Sequence, residues 1–258
     1  MAHDVTAPTL IVMAKPAVPG TVKTRLMREG GLTASQAAAV HQAMLDCVLE
    51  RLASTSKLPG PRFLALAGGD KPAAESLSGN NETDARDPGQ AEADADTQAA
   101  IAAARRAAHQ HGWSIADQGT GDLGQRLAYV WDRLAAGGPV VFLGIDSPDV
   151  PSEAIEAIPA ALAGHDAAVG AVEDGGYWTL AARAHAPALI TGIDWGSERV
   201  YAQTRQAATQ AGLTVTALPA WYDVDTVDDL HRLQQRLETT NEPALARLRE
   251  RLKAAAGR

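Results

Sequence analysis

Short apolar runs alternate with longer segments of helical period along this chain, and that alternation limits the fold more than any other feature. Thr9–Ala14 (TLIVMA), 62–67 (RFLALA), 140–144 (VVFLG) and Ala167–Val172 (AAVGAV) read as strands that are apolar on both sides. Briefer strands are expected at 113–115, 177–181 and 214–218. Between them, 33–53, 97–111, 122–136, 152–163 and 198–211 carry helical spacing, and two more helices close the chain near Val227–Glu238 and Pro243–Ala255. Local signals support several of these starts. Thr33 with Gln36 and Thr226 with Asp229 have the spacing of a capping box, Ser152 is placed to cap its helix, and Pro243 suits a first turn. Strands apolar on both sides need cover on both, so the expected fold is an α/β one: an open, mostly parallel sheet with helices on both faces. A single domain over residues 1–258 is expected.

One stretch breaks the pattern. Residues 76–96 (SLSGNNETDARDPGQAEADAD) are acidic and almost free of large apolar side chains, so a mobile acidic insertion is expected there. The formal charge of −8 disfavours nucleic acid and anionic membrane as partners, since both call for a surplus of Lys and Arg. A lone cysteine, Cys47, excludes an internal disulfide and a Cys-based zinc site. No signal-peptide pattern opens the sequence and no apolar run approaches membrane-span length, so a cytoplasmic protein is expected.

In open α/β sheets ligands bind beyond the carboxyl ends of the strands, so the residues that follow each strand carry the functional signal. After the first strand comes KPAVPGTVKTR. Its prolines and Gly20 stiffen and turn the loop, while Lys15, Lys23 and Arg25, with Thr24 between the last two, bring cations suited to a di- or triphosphate. The first glycine of a Walker A loop is missing. After 140–144 comes GIDSPD, where Asp146 at the strand end suits Mg²⁺ or Mn²⁺ and Asp149 serves equally well as a turn cap. EDGGYW follows the AAVGAV strand: Asp174 can accept from sugar hydroxyls, Gly175 and Gly176 permit close backbone approach, and Tyr177 offers a ring or a hydroxyl, although D-G-G is also a common hairpin turn. After 214–218, Asp223 and Asp225 project to one side of an extended segment and suit a second metal ligand. QGTGDLGQRL opens another helix with Asp122 at the cap position, and Arg126 one turn in either reaches an anion or bridges to Asp122.

Taken in order, LIVMAKPAVPGTVKTRL, QGTGDLGQRL, FLGIDSPDVP, AVEDGGYWTL, a segment with Trp195 and YDVDTVDDL resemble a bacterial transferase family. Its members occur beside radical-SAM and selenodomain proteins, carry the label of arsenosugar-biosynthesis glycosyltransferases, and belong to the nucleotide-diphospho-sugar transferase (GT-A) superfamily. The resemblance runs from about residue 9 to 233 and implies a nucleotide-binding, Rossmann-like GT-A sheet with one metal-bearing edge. It implies that Lys15, Lys23 and Arg25 meet phosphates, that Asp146 and Asp225 hold a metal, and that Asp174 to Tyr177, with Asp122, serve the sugar or acceptor. Lys23, Arg25 and Asp146 are the expected catalytic residues, because the basic loop and a cation at Asp146 would neutralise a departing phosphate. The expected partners are a nucleotide or nucleotide-sugar and a small-molecule acceptor. Three functions remain open at this point: glycosyl transfer from an NDP-sugar, nucleotidyl transfer from an NTP with release of pyrophosphate, and non-catalytic nucleotide binding. The first is preferred.

Overall fold

The computed structural model describes residues 7–68 and 88–255. Among these described residues seven strands form one sheet in the order β3-β2-β1-β4-β6-β5-β7. They are β1 (Thr9–Ala14), β2 (Arg62–Leu66), β3 (Ser114–Asp117), β4 (Val140–Leu143), β5 (Ala167–Val172), β6 (Tyr177–Ala182) and β7 (Val215–Trp221). All run parallel except β6, which lies antiparallel to both β4 and β5. The expected open, mostly parallel sheet is therefore present.

Side-chain alternation explains why it is covered on both sides. In β1, Leu10, Val12 and Ala14 face one apolar cluster while Ile11 faces another; in β4, Val141 and Leu143 face the first and Val140 and Phe142 the second. Helices α2 (Ala34–Ser54), α3 (Pro88–Gln110), α5 (Ser152–Glu156) and α6 (Ile158–Gly164) cover the first face. Helices α4 (Leu123–Leu134) and α7 (Val200–Gln210) cover the second, together with a 3-10 turn at Pro187–Leu189. A third cluster packs α1 (Thr24–Gly30) and the Val40–Met44–Cys47 stripe of α2 against α8 (Val227–Glu238) and α9 (Pro243–Ala255). Cys47 is part of this core, where burial pushes its thiol up to about 12.

Three local expectations are corrected. Residues 88–96 belong to α3, not to a loop: Pro88 takes the first turn, alanines alternate with acids, and 92–96 stay exposed as a solvated helical end. The rest of the expected insertion, 76–87, lies outside the described residues. The 152–163 helix is broken at Ala157, because Pro159 cannot donate a helical hydrogen bond and its ring crowds the preceding turn. Ser152 does not cap; Pro151 holds that position, and the Ser152 hydroxyl bonds Arg51 and Glu242 instead. Among the described residues no helix is long and apolar enough to cross a membrane.

Candidate functional site

β1 sits between β2 and β4, so the chain leaves it in one direction for β2 and β3 and later returns on its other side. That reversal opens a crevice at the carboxyl edge of the sheet. A pocket of about 520 Å³ fills it, lined by Lys15, Thr21, Lys23, Thr24, Arg25, His41, Gln118, Arg126, Asp146, Tyr177 and Asp225 among others. Its size lies within the usual range for a small-molecule site.

The loop after β1 folds back on itself. Thr21 donates from both its amide and its hydroxyl to the Val18 carbonyl, at 3.1 and 3.0 Å, and Gly20 supplies the left-handed residue (φ +81°) that this turn requires. Lys23 then adopts φ 48°, ψ 42° at the N-cap of α1 without a capping side chain, a conformation a non-glycine residue seldom takes. Its side chain, 4% exposed, runs inward, and all three ammonium protons are donated: to Asp146 Oδ1 at 2.5 Å, the Val224 carbonyl at 2.7 Å and Asp225 Oδ1 at 2.9 Å. Burial by itself would lower the Lys23 pKa, but the two carboxylates outweigh it and hold the ammonium above the ordinary lysine value. Burial likewise opposes ionisation of Asp146, and Lys23 overcomes it, so Asp146 stays below the usual carboxylate range.

Asp146 and Asp225 arrive from different loops, and the backbone joins them. The Val224 amide donates to the Asp146 carbonyl at 2.7 Å, and the capping box of Thr226 and Asp229 fixes the chain just beyond Asp225. Arg25 extends outward, 62% exposed, with a guanidinium nitrogen 4.0 Å from Asp225. Asp223 turns elsewhere and accepts from Ser147 Oγ at 2.6 Å. Burial, opposed by that hydrogen bond and reinforced by Asp146, Asp174 and Asp225, raises its pKa to about 7.

The remaining expected residues divide. Tyr177 lines the pocket, its hydroxyl buried and without a partner among the described residues; burial raises its pKa. Asp174, Gly175 and Gly176 form the β5–β6 turn and do not line the pocket. Asp174 Oδ1 accepts from the Gly176 amide at 3.0 Å. Gly175 (φ +90°) lies so close to the start of α7 that a Cβ would stand 1.9 Å from the Glu198 carbonyl oxygen, and its own carbonyl accepts from the Tyr201 amide at 2.8 Å. Asp122 makes a capping box with Gln125 at the start of α4. The Arg126 guanidinium donates to the Gly121 carbonyl at 2.8 Å and to Gln118 Oε1 at 3.4 Å and makes no bridge to the Asp122 carboxylate, while still lining the pocket.

Two pocket residues were given no role by the sequence. His41, 6% exposed on α2, donates from Nε2 to the Lys15 carbonyl at 3.0 Å, leaving Nδ1 buried and without a partner among the described residues. Burial lowers its pKa, so the ring is a neutral acceptor. Gln118, 3% exposed, donates from Nε2 to the Ala14 carbonyl at 2.7 Å and so ties the end of β3 to the end of β1.

Mg²⁺ and Mn²⁺ require hard oxygen donors. Asp146 Oδ1, Asp225 Oδ1 and the Val224 carbonyl converge on one cation, the Lys23 ammonium, so the donor chemistry fits such an ion. Among the described residues no cluster of three or more His, Cys, Asp and Glu side chains is present to hold a metal. A divalent ion here would complete its shell with ligand phosphates and water.

Residues 85–197 match the family model of an uncharacterized protein conserved in bacteria, DUF2064. A comparison with curated proteins gives no match. Among solved structures the chain is similar to a candidate nucleotide-diphospho-sugar transferase from Desulfovibrio desulfuricans G20, with 27% identity over 97% of each chain and a TM-score of 0.69. A cytidylyltransferase from Leptospira borgpetersenii shares 12% identity over 97% of this chain and 95% of its own, with a TM-score of 0.53. A CMP:2-keto-3-deoxy-manno-octonic acid synthetase complexed with CTP shares 10% over 90% and 98%, with a TM-score of 0.52. The last two likenesses are of fold alone. Sheet, crevice and comparisons together identify the fold as that of the nucleotide-diphospho-sugar transferase superfamily.

Proposed function

We propose that the protein is a nucleotide-using, divalent-metal-dependent transferase that takes an NDP-sugar as donor. One observation carries this reading: a pocket at the sheet's switch point brings Lys15 and Arg25 to one ligand space with Asp146 and Asp225. Lys15 and Arg25 are exposed and offer charge-assisted hydrogen bonds to a diphosphate. Asp146 and Asp225 would hold the metal with the Val224 carbonyl, and a bound Mg²⁺ or Mn²⁺ would supply positive charge against the charge developing on the leaving diphosphate. The bare His41 Nδ1 can accept from a hydroxyl, and the Tyr177 hydroxyl can donate to a sugar or acceptor oxygen. Asp174, Gly175 and Gly176 would then act through Tyr177, whose backbone they place, and Asp122 by starting α4 beneath Arg126.

The preference for glycosyl transfer draws on the resemblance to the arsenosugar-type transferases and on the 27% identity to the Desulfovibrio protein. A second reading, nucleotidyl transfer, is favoured by the density of cations in the loop after β1, which suits a triphosphate. Product analysis separates the two. Incubation with Mn²⁺ and a panel of NDP-sugars should release nucleoside diphosphate slowly, water replacing the acceptor. Pyrophosphate from NTPs with a phosphorylated acceptor, and no diphosphate from NDP-sugars, would establish the second chemistry. Nucleotide binding with neither product would support a non-catalytic role.

A further inference from the structure

The proposed metal ligands are already occupied by a cation of the protein's own. Lys23 places its ammonium among three oxygens and donates a proton to each, so no donor remains for a phosphate in this arrangement. Yet the same residue stands on the pocket wall beside Thr24 and Arg25. The ammonium is buried while Asp146 and Asp225 are 43% and 41% exposed, so the carboxylates can be approached from the pocket without unfolding either loop. Without any cation, the two carboxylates would repel one another in a partly desolvated place. With two cations, the ammonium and a divalent ion would compete for the same oxygens at contact distance. One cation at a time is the stable arrangement.

We propose that Lys23 is an exchangeable plug. In the free protein it holds Asp146 and Asp225 in register; when a metal-nucleotide enters, the divalent ion takes the carboxylates and the Lys23 ammonium moves to the nucleotide's phosphates. The inference rests on the metal-nucleotide reading given above and adds its regulation. Metal alone must evict an ammonium that has nowhere better to go, so it binds weakly; nucleotide gives that ammonium a new anionic partner, so the two ligands bind cooperatively and reciprocally. The left-handed backbone of Lys23 fits this role: its carbonyl accepts from the Leu26 amide at 3.0 Å, and the long-range bonds of its side chain hold it in a seldom-populated conformation that their release would relieve.

The test is Mn²⁺ titration of the full chain, with free ion read by electron paramagnetic resonance, for the wild type and Lys23→Met. The titrations are run with Mn²⁺ alone and with each of the four common nucleoside di- and triphosphates. The plug predicts that Lys23→Met binds Mn²⁺ alone about tenfold or more tighter than the wild type does, and that nucleotide enhances Mn²⁺ binding strongly only in the wild type. Equal Mn²⁺ affinity in the two proteins, alongside nucleotide-enhanced binding in the wild type, would overturn the plug and leave the metal site standing. Absence of Mn²⁺ binding in both proteins with every nucleotide would overturn the metal site and the plug with it. Should Lys23→Met fail to fold, the wild type labelled with ¹⁵N-lysine answers alone: the Lys23 Nζ resonance must shift when Mg²⁺ and a binding nucleotide are added together, and an unmoved resonance overturns the proposal.

Discussion

Asp146 and Asp149 leave the same strand three residues apart, yet they lie in different kinds of surroundings. Asp149 is 2% exposed at its side chain and accepts from Trp221 Nε1 at 3.0 Å, Tyr222 Oη at 2.9 Å and Arg236 Nε at 2.7 Å. Those donors belong to the end of β7, the residue after it and α8, so Asp149 joins the sheet to the C-terminal helices. Arg51 braces the same loop from α2, bonding the carbonyls of Pro148 and Val150 at 2.7 Å each. Asp146 is 43% exposed, lines the pocket and has one charged partner, the Lys23 ammonium. A buried carboxylate satisfied by donors on packed rings and an arginine is a strut, costly to break and with no reason to move. One that keeps an open side and a single ammonium partner can exchange that partner. In the proposed function, the end of the loop that Asp149 and Arg51 brace would steady Asp146 at the other end against a ligand.

The strut should give the largest effect. Asp149→Ala strands two ring donors and the Arg236 guanidinium, and should cost roughly 3 kcal/mol or more of stability. In a chain of this size that lowers the melting temperature by on the order of 5–10 °C in calorimetry. A melting temperature within a degree of wild type would show that the contrast with Asp146 is not one of structure against function.

A smaller, pH-dependent effect sharpens the comparison. Folding lifts the Asp223 pKa to about 7, above the ordinary carboxylate value of about 4. Between those pH values the native state keeps a proton that the unfolded chain has lost, so this group's contribution makes stability fall as pH rises through that window. Asp223→Asn can still accept from Ser147 and removes the titration. Its melting temperature should exceed that of the wild type at pH 8, with the gain shrinking toward pH 5. A gain that is constant with pH would assign it to some other cause.

Arg25→Ala should give the smallest change. The side chain is largely solvated and stands 4.0 Å from Asp225, so its removal should shift stability by no more than about 0.5 kcal/mol. It should weaken nucleotide binding by about fivefold while leaving nucleoside binding alone, which calorimetric titration would read as the loss of one phosphate contact. Equal losses for nucleotide and nucleoside would place Arg25 away from the phosphates.

Much of this architecture was legible because local chemistry repeats it. The capping boxes at Thr33 and Thr226 form as their spacing predicts, and apolar alternation in β1 and β4 gives two covered faces. Helix α1 had no such signal: it is seven residues long, buries one of them, Leu26, and begins at a left-handed lysine, a geometry enforced by contacts far away in sequence. The order of strand-end residues correctly brings Lys23, Asp146 and Asp225 to one edge. That the ammonium fills the space between the carboxylates could not be read, because those bonds span 123 and 202 residues. His41 did leave a trace, as a polar residue beside the Val40–Met44–Cys47 stripe of α2. Without knowing that Lys15 crosses above it, the trace has no chemical meaning.

The role proposed for Asp146 is to serve a metal-bound nucleotide. Thermal unfolding of the wild type and Asp146→Asn, each with a panel of NTPs and NDP-sugars in the presence and absence of Mn²⁺, tests it most directly, since a ligand that binds only the native state stabilises it by mass action. The wild type should gain several degrees with Mn²⁺ and a matching nucleotide together and little with either alone. Asp146→Asn removes one of the two counter-charges on the buried Lys23 ammonium, so it should fold but melt a few degrees below the wild type without ligand, and it should lose most of that joint gain. A variant stabilised by Mn²⁺-nucleotide as fully as the wild type, or a wild type that responds to no nucleotide with or without metal, would contradict it.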